Sequence, residues 1–397
     1  MESKNLNKIV FILGFLAFWV NGDNYAAAPL LLDIAKDLNI SFENAALSVT
    51  AYMLFFGFLT ILFGPLGDRF GKSKIIKVAA FGTAIFSMLG AFAYDLSSIV
   101  IIRAINGTFA AGILPISVAY AGENISEPEK KQNAIGKIMG MMFLGGAFAT
   151  IISGLLTSIG SWRLLYMFYG VAELLLMFVL IISLKDDSVK KNKLTFYSVY
   201  KDALANKSLM KVISVLFLMG FSVLGSFTYT GKLVQSVTNF SILQIGFILS
   251  FFGFGTIVGA KGAGLIRNKL GANSLVFAGI TGALSLGLLS YTHNIFLLVA
   301  SLFGFGFAFI LLQSTLIITA QESMPNLRGT VMSIASFNMV VSGGIGTFIN
   351  GLILQYHSIS IIYIISSILV VIAGILSNRV VRKSDYKHFE QISFAKY

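Results

Sequence analysis

The sequence predicts an all-α membrane protein of twelve transmembrane helices, arranged as two pseudo-symmetric six-helix bundles. Three observations lead there. Hydrophobic residues make up 56% of the 397 and charged residues only 12%, where soluble domains are roughly a quarter charged. Apolar segments recur along the whole chain, each near the ~20 residues a helix needs to cross the hydrocarbon. The basic residues fall almost entirely on alternate connections between those segments. A closed barrel would need strands alternating apolar and polar residues over about ten positions, and no such alternation is visible.

By the length rule the spans fall at 8–32, 44–63, 75–93, 97–119, 138–158 and 164–184, then at 209–231, 241–265, 274–291, 295–320, 330–354 and 358–378. The first span contains "NYAAAP", with the Ala-x-Ala of a cleavable leader, but its apolar run is too long and continues through that stretch. It is read as an anchor. With the N-terminus inside, only Lys36, Arg163 and Lys232 of the 29 basic residues lie on outer loops, and only Arg103 and Lys261 within spans. This is the positive-inside pattern with both termini cytoplasmic, in a plasma or inner cell membrane. The net charge of +12 is therefore topology, and nucleic acid is not an expected partner.

The halves repeat. "GPLGDRFG" at 64–71 aligns with "GLIRNKLG" at 264–271, and Pro128, Lys131, Ala134 and Gly136 align with Pro325, Arg328, Val331 and Ser333. Both pairs sit on matching inner connections. The expected organisation is a bundle over 1–184, a cytoplasmic linker over 185–208 and a second bundle over 209–397. Two repeats about a central site are what a rocking secondary transporter requires.

"GPLGDRFGKSK" invites comparison with a phosphate-binding loop, which needs G-x-x-x-x-G-K-[ST]. Counting back from Gly71-Lys72-Ser73, the required glycine falls on Leu66. One residue of spacing excludes that reading. The pattern that does fit is G-x-L-x-D-R-x-G-x-x-K, with Gly64, Leu66, Asp68, Arg69, Gly71 and Lys74. It resembles the loop between helices 2 and 3 of the major facilitator superfamily. "RAINGTFAAG", with Arg103 and Gly107, resembles the family's fourth-helix pattern; "SWRLLYMF", with Trp162 and Arg163, resembles the entry to its helix 6. "APLLLDIAKDLNIS" is similar to the first outer loop of the drug:proton antiporter branch. One piece departs: in place of the antiporters' G-P-x-x-G-G on helix 5 stands "ATIISG", with Ala149, Thr150, Ser153 and Gly154 and no proline.

Ionisable groups inside spans are costly and are functional candidates by default. Asp23 lies in helix 1 among Asn21, Asn24 and Tyr25; Arg103 lies in helix 4 and Glu173 in helix 6. The resemblance implies that helices 1, 4, 7 and 10 line a central cavity, so Asp23 and Arg103 are expected to reach it; helix 6 packs outside that cavity, and Glu173 joins Asp23 and Arg103 as a candidate for coupling proton and substrate. Asp23 is read as a proton or cationic-substrate site, or else as a structural acid bonded to its asparagine neighbours. Arg103 either pairs with Asp23 or bonds backbone carbonyls. Asn106, Tyr229, Gln313 and Asn338 are further candidate lining groups, and Gly64, Asp68, Arg69, Gly71 and Lys74 a conformational gate with Asp68 as its latch.

His293, His357 and His388 are scattered without metal-ligand spacing, and no catalytic set of residues lies within the membrane. No cofactor, metal or enzymatic activity is expected. Expected partners are a small-molecule substrate, protons and the bilayer, with the chain a monomer. The function implied is proton-coupled efflux of small lipophilic or cationic compounds. The alternative is a proton-linked transporter of a metabolite such as a sugar, nucleoside or organic anion.

Overall fold

Inside a bilayer the backbone has no water to bond, so an apolar segment satisfies its amides as a helix. The computed structural model describes residues 3–125, 127–184, 196–324 and 327–394. Among them, twelve helices are long and apolar enough to cross a membrane. The first six are α1 (Ser3–Asp37), α2 (Phe42–Phe70), α3 (Lys72–Gly90), α4 (Leu96–Asn124), α5 (Pro128–Ile159) and α6 (Trp162–Ser183). After a short linker helix, Phe196–Ala205, come α7 (Lys207–Thr238), α8 (Ile242–Leu270), α9 (Asn273–Tyr291), α10 (Ile295–Ser323), α11 (Arg328–Tyr356) and α12 (Ile359–Phe394). Residues 185–195 of the expected linker, Pro325, and the side chain of Arg328 lie outside what is described.

Most helices outrun the apolar spans, because polar termini continue them past the hydrocarbon. The consequence is largest at α2. Gly64, Asp68 and Arg69, read from the sequence as a loop, lie on its last turns, and the connection to α3 shrinks to Gly71. That residue has φ +91°, a conformation a side chain rarely adopts.

The internal repeat is deeper than the two aligned loops. Gly271, 200 residues after Gly71, also has positive φ, and so do the pair Asn39 and Asn239, which end α1 and α7. Asparagine tolerates the left-handed conformation that terminates a helix. Two residues on, Ser41 and Ser241 cap the next helices, accepting from the Asn44 and Gln244 amides at 3.2 and 3.5 Å. Asp95 caps α4 in the same way, accepting from the Ser98 amide at 2.8 Å, which holds its carboxyl below the usual range.

Helix pairing follows the same shift of six. In the first bundle α1 packs on α5, α2 on α4, and α3 on both α4 and α6; in the second, α7 packs on α11, α8 on α10, and α9 on both α10 and α12. The bundles meet through α2 against α11 and α5 against α8. Close approach needs small residues. A Cβ on Gly107 (α4) would strike the Tyr52 carbonyl of α2, and one on its counterpart Gly306 (α10) would strike the Phe252 carbonyl of α8.

The end of the molecule carrying the Gly71 and Gly271 turns is its basic end. At the opposite, far end the two bundles touch. Lys232 of α7 donates to Glu43 of α2 at 3.1 Å, Gly231 lies against Ala28 and Pro29 of α1, and Gly246 of α8 lies against Thr150 and Gly154 of α5.

Candidate functional site

A cavity of about 360 Å³ lies between the bundles. Its wall comes from α1, α2, α4, α5, α7, α8, α10 and α11, and none of it from α3, α6, α9 or α12. It reaches towards the basic end as far as Ile318 on α10 and Met332 on α11, while the far-end contacts seal the other side. The wall is apolar, rich in phenylalanine and methionine, and contains no Asp, Glu, Lys, Arg or His among the described residues. Its polar side chains include Asn21, Asn24, Tyr25, Tyr52, Thr256 and Gln313. Asn21 donates to the Met142 carbonyl at 2.9 Å, and Gln313 Nε2 to Met339 Sδ at 3.2 Å. Tyr25 packs edge-on against Phe227 and stacks over Phe252, at centroid distances of 5.5 and 6.2 Å.

Of the expected lining residues, Asn21, Asn24, Tyr25 and Gln313 are where the sequence placed them. Tyr229, Asn338 and Asn106 are not. Tyr229 is buried between bundle helices and donates to the Thr347 carbonyl at 2.7 Å. Asn338 turns back to the Ile334 carbonyl one turn earlier, at 3.0 Å. An amide on a membrane helix whose neighbours offer nothing better satisfies itself locally.

The ionisable candidates do not line the cavity either. Asp23 and Arg103 meet, Arg103 Nη1 donating to Asp23 Oδ2 at 2.8 Å, with 3% and 1% of their side chains exposed. They lie inside the first bundle, between α1, α3, α4 and α6. The pairing reading of Arg103 therefore holds, and the expectation that both groups reach the central cavity does not. Around them Ser87 donates to Asp23 Oδ2 at 3.3 Å, and Asn106 donates to Ser87 Oγ at 2.9 Å and to the Thr83 carbonyl at 3.2 Å. Hydroxyls and amides of α3 and α4 thus extend the ion pair into a network.

Glu173 stays off the cavity wall, as expected of helix α6. It turns into the first bundle, 1% exposed, and the charges bearing on it are those of Asp23 and Arg103. Trp162, Tyr166, Tyr169, Glu173, Met177 and Leu180 are all buried at spacings of three and four, so one face of α6 is inner throughout. That periodicity was available in the sequence. The network is only half satisfied. Asp23 Oδ1, Arg103 Nε and Nη2, Asn106 Oδ1, both Glu173 oxygens and the Tyr166 and Tyr169 hydroxyls have no hydrogen-bond partner. Buried unpaired polar atoms are expensive, so any rearrangement that pairs them is favoured.

One side chain separates this cluster from the cavity. Tyr52 of α2 is part of the cavity wall, and Arg103 Cζ stands 4.3 Å from the centre of its ring. Tyr166 flanks the guanidinium on another side at 5.4 Å.

At the basic end, Lys72 Nζ bridges Asp68 Oδ1 and Glu123 Oε1, 2.8 Å from each, tying the end of α2 to the start of α3 and the end of α4. The sequence reading met Lys72 only in the charge and phosphate-loop counts and missed Glu123, although Asp68 and Lys72 stand four residues apart, a common separation for an ion pair. A Cβ on Gly64 would meet open space, whereas Gly67 makes the close approach, against Ile116. Arg69 lies over the ring of Phe70, and Lys74 is exposed. At the far end Arg163 pairs with Asp37 and donates to the Ala93 carbonyl at 3.0 Å, pinning α6 to α1 and α3.

Comparison with known proteins was made against this geometry. The sequence model described as Major Facilitator Superfamily matches residues 10–347. The chain is 26% identical over 217 residues to the MFS-type transporter YybF of Bacillus subtilis, covering 54% of this chain and 52% of that one. It is 34% identical over 133 residues to the puromycin resistance protein pur8 of Streptomyces alboniger, covering 34% of this chain and 26% of that one. The chain thus spans about half and a quarter of the lengths of these two relatives. Among solved structures, a bacterial homologue of the human lysosomal transporter Spinster superposes with a TM-score of 0.75 at 14% identity, over 96% of this chain and 98% of that one. The nucleoside transporter NupG superposes at 0.75 and 15% identity, over 95% and 99%.

Proposed function

The chain belongs to the Major Facilitator Superfamily, and on that premise we propose that it is a proton-coupled secondary transporter exporting small, uncharged lipophilic compounds by alternating access. Residues 1–184 and 209–397 are the two moving bodies, joined by the linker 185–208. The basic end faces the cytoplasm of a cell membrane, with both termini on that side.

The observation that carries this reading is the separation of two chemistries. Two carboxyls and one guanidinium are sealed inside the first bundle, while the cavity beside them has no charge in its wall. Removing charges from water is costly unless they balance. With both carboxyls ionised the cluster would carry one surplus negative charge, and a proton on one of them removes it. Exchange of that proton as the bundles rock is the coupling step.

The cavity supports the substrate class. A cation entering it would lose its hydration and find no counter-charge, so the motive for a cationic substrate falls once Asp23 is behind Tyr52. An organic anion loses its motive for the same reason, since Arg103 is engaged by Asp23. The likeness to a puromycin resistance protein supports export over uptake. A second reading, transport of a neutral polar metabolite such as a nucleoside or sugar, draws on the amides of Asn21, Asn24 and Gln313 in the wall.

The test uses the purified protein in liposomes with radiolabelled chloramphenicol, an uncharged lipophilic probe. An imposed proton gradient should drive its accumulation, and Asp23→Asn should abolish that accumulation while leaving binding intact. Gradient-independent transport by the wild-type protein would remove proton coupling from the proposal. Full activity in the variant would remove Asp23 from it.

A further inference from the structure

Tyr52 occupies a position shared by no other described residue of the ionic cluster: it is both cavity wall and direct neighbour of the guanidinium. Asp23, Ser87, Arg103, Asn106 and Glu173 are all absent from the wall. A molecule in the cavity therefore meets none of those five side chains directly, whereas Tyr52 is in the wall and against the Arg103 guanidinium.

The ring is held so that it can transmit a push. Gly107, one turn after Arg103, brings α4 against the Tyr52 carbonyl, so the backbone at residue 52 cannot slide along α4. The side chain is almost fully buried, so a displacement at its cavity edge is passed to what lies behind it. One face of its surroundings is Arg103 at 4.3 Å; Phe56, one turn along α2 and also in the wall, stacks beside it with centroids 6.0 Å apart. The internal repeat supplies a control within the molecule. Phe252 stands 200 residues after Tyr52, lines the same cavity and meets the same kind of glycine, Gly306. Its neighbours are the rings of Phe305 and Phe227, at 5.0 and 4.5 Å, and Leu302 lies where the first bundle has Arg103. The second bundle thus keeps the wall and, among the described residues, has apolar side chains behind it in place of an ion pair.

We infer that Tyr52 couples cavity occupancy to the proton site: a substrate pressing on its ring shifts the Arg103 guanidinium from Asp23 alone to a place where it faces both Asp23 and Glu173, so that the proton held between the two carboxyls is released. A guanidinium held over an aromatic face is attracted by it, and displacing the ring moves that attraction. The step forms and breaks only O–H bonds. One carboxyl O–H breaks and its proton passes to water on the accessible side as Arg103, keeping Asp23, comes to face the second carboxylate as well; when the substrate leaves, the guanidinium returns and a proton is taken up again. The titratable and charged groups around Arg103 are Asp23 from α1, Tyr52 from α2, and Tyr166, Tyr169 and Glu173 from α6; α3 offers only the hydroxyls of Thr83 and Ser87. Tyr52 is a positioning residue, acting through Arg103. The inference rests on the proton-coupled reading proposed above.

Its test is the pH dependence of chloramphenicol binding to the purified protein. Exclusion of substrate and proton makes wild-type affinity fall as pH falls, by at most about tenfold per pH unit for one linked proton. Tyr52→Phe keeps the ring and should keep that slope. Tyr52→Leu, or Tyr52→Met if the leucine variant folds poorly, should still bind the probe at high pH but with a flat profile. Phe56→Leu, in the wall but away from Arg103, should weaken binding at every pH and leave the slope unchanged. A wild-type slope in the ringless variants would overturn the role of Tyr52. A wild-type protein that binds without pH dependence, or does not bind, would instead overturn the underlying reading and the inference with it.

Discussion

At the scale of single residues, the first bundle stores its chemistry in unequal partners. Asp23 has the Arg103 guanidinium and the Ser87 hydroxyl, whereas neither Glu173 oxygen has a hydrogen bond. Removing one member of a buried pair strands the other, at a cost on the order of 3–5 kcal/mol. Arg103→Leu should therefore lower the thermal midpoint and the yield of folded protein. Glu173→Gln removes a carboxyl that no cation contacts and keeps a side chain that the Thr83 hydroxyl can meet, so its midpoint should equal or exceed that of the wild type while protons moved per substrate fall. A loss of folded protein in Glu173→Gln, measured by size-exclusion and thermal unfolding in detergent, would show that this carboxyl is structural. Legibility at this scale was partial. Asp23, Arg103 and Glu173 stand out as charges within apolar runs. Tyr52 does not, because an aromatic residue on a membrane helix carries no mark of what lies behind it.

At the scale of elements, helix ends repeat more faithfully than helix faces. Asn39 and Asn239, Ser41 and Ser241, and Gly71 and Gly271 are all 200 residues apart and do the same work in each half. Few residue types can end or start a helix, whereas many can face lipid, so sequence drift erases the faces first. The clip at the basic end is the exception that has diverged: Asp68, Lys72 and Glu123 tie α2, α3 and α4 together, and the aligned acid position in the second half is Asn268. We propose that this clip keeps the three helices moving as one body. Lys72→Met should cut the turnover of chloramphenicol transport several-fold with binding unchanged, and Asp68→Asn should act in the same direction with smaller effect, because Lys72 keeps Glu123. Full turnover in Lys72→Met liposomes would dismiss the clip. Lys72 is buried but Asp68 and Glu123 reach water, and Asp68→Asn leaves Lys72 its Glu123 partner, so neither variant strands a buried charge or should unfold the protein.

At the scale of the whole molecule, one end is shut. Closure rests on backbone-to-backbone approach at Gly246 and Thr150, on Gly231 against α1, and on the Lys232–Glu43 pair, which crosses between the bundles. A larger side chain at residue 246 has no room in the closed arrangement, since a Cβ there already meets the Thr150 carbonyl. Gly246→Leu should bias the protein towards the state open at the far end. The chain has no cysteine, so a single cysteine replacing cavity residue Asn24 can be labelled with a water-soluble maleimide from either side of a sealed vesicle. The glycine variant should raise labelling from the far side and lower it from the basic side; an unchanged ratio would mean that these contacts do not govern access.

The amino-acid sequence by itself determined the helix count, the two-fold repeat, the asymmetry between a basic and a far end, and the presence of three ionisable groups in the first bundle. Those features follow from local composition, since apolar length, capping residues and the cost of a charge in hydrocarbon each act over a few residues. Only the tertiary structure decided what faces what. It turned Asp23, Arg103 and Asn106 away from the cavity, turned Glu173 in from α6, replaced the expected loop with a Lys72 clip and set Tyr52 between substrate space and charge. The reason is geometric: a helix in a bundle has a cavity side, a neighbour side and a lipid side, and about 100° of rotation separates successive residues among them. That rotation is settled by packing between helices distant in sequence, at contacts such as Gly107 on Tyr52 and Trp19 on Tyr169.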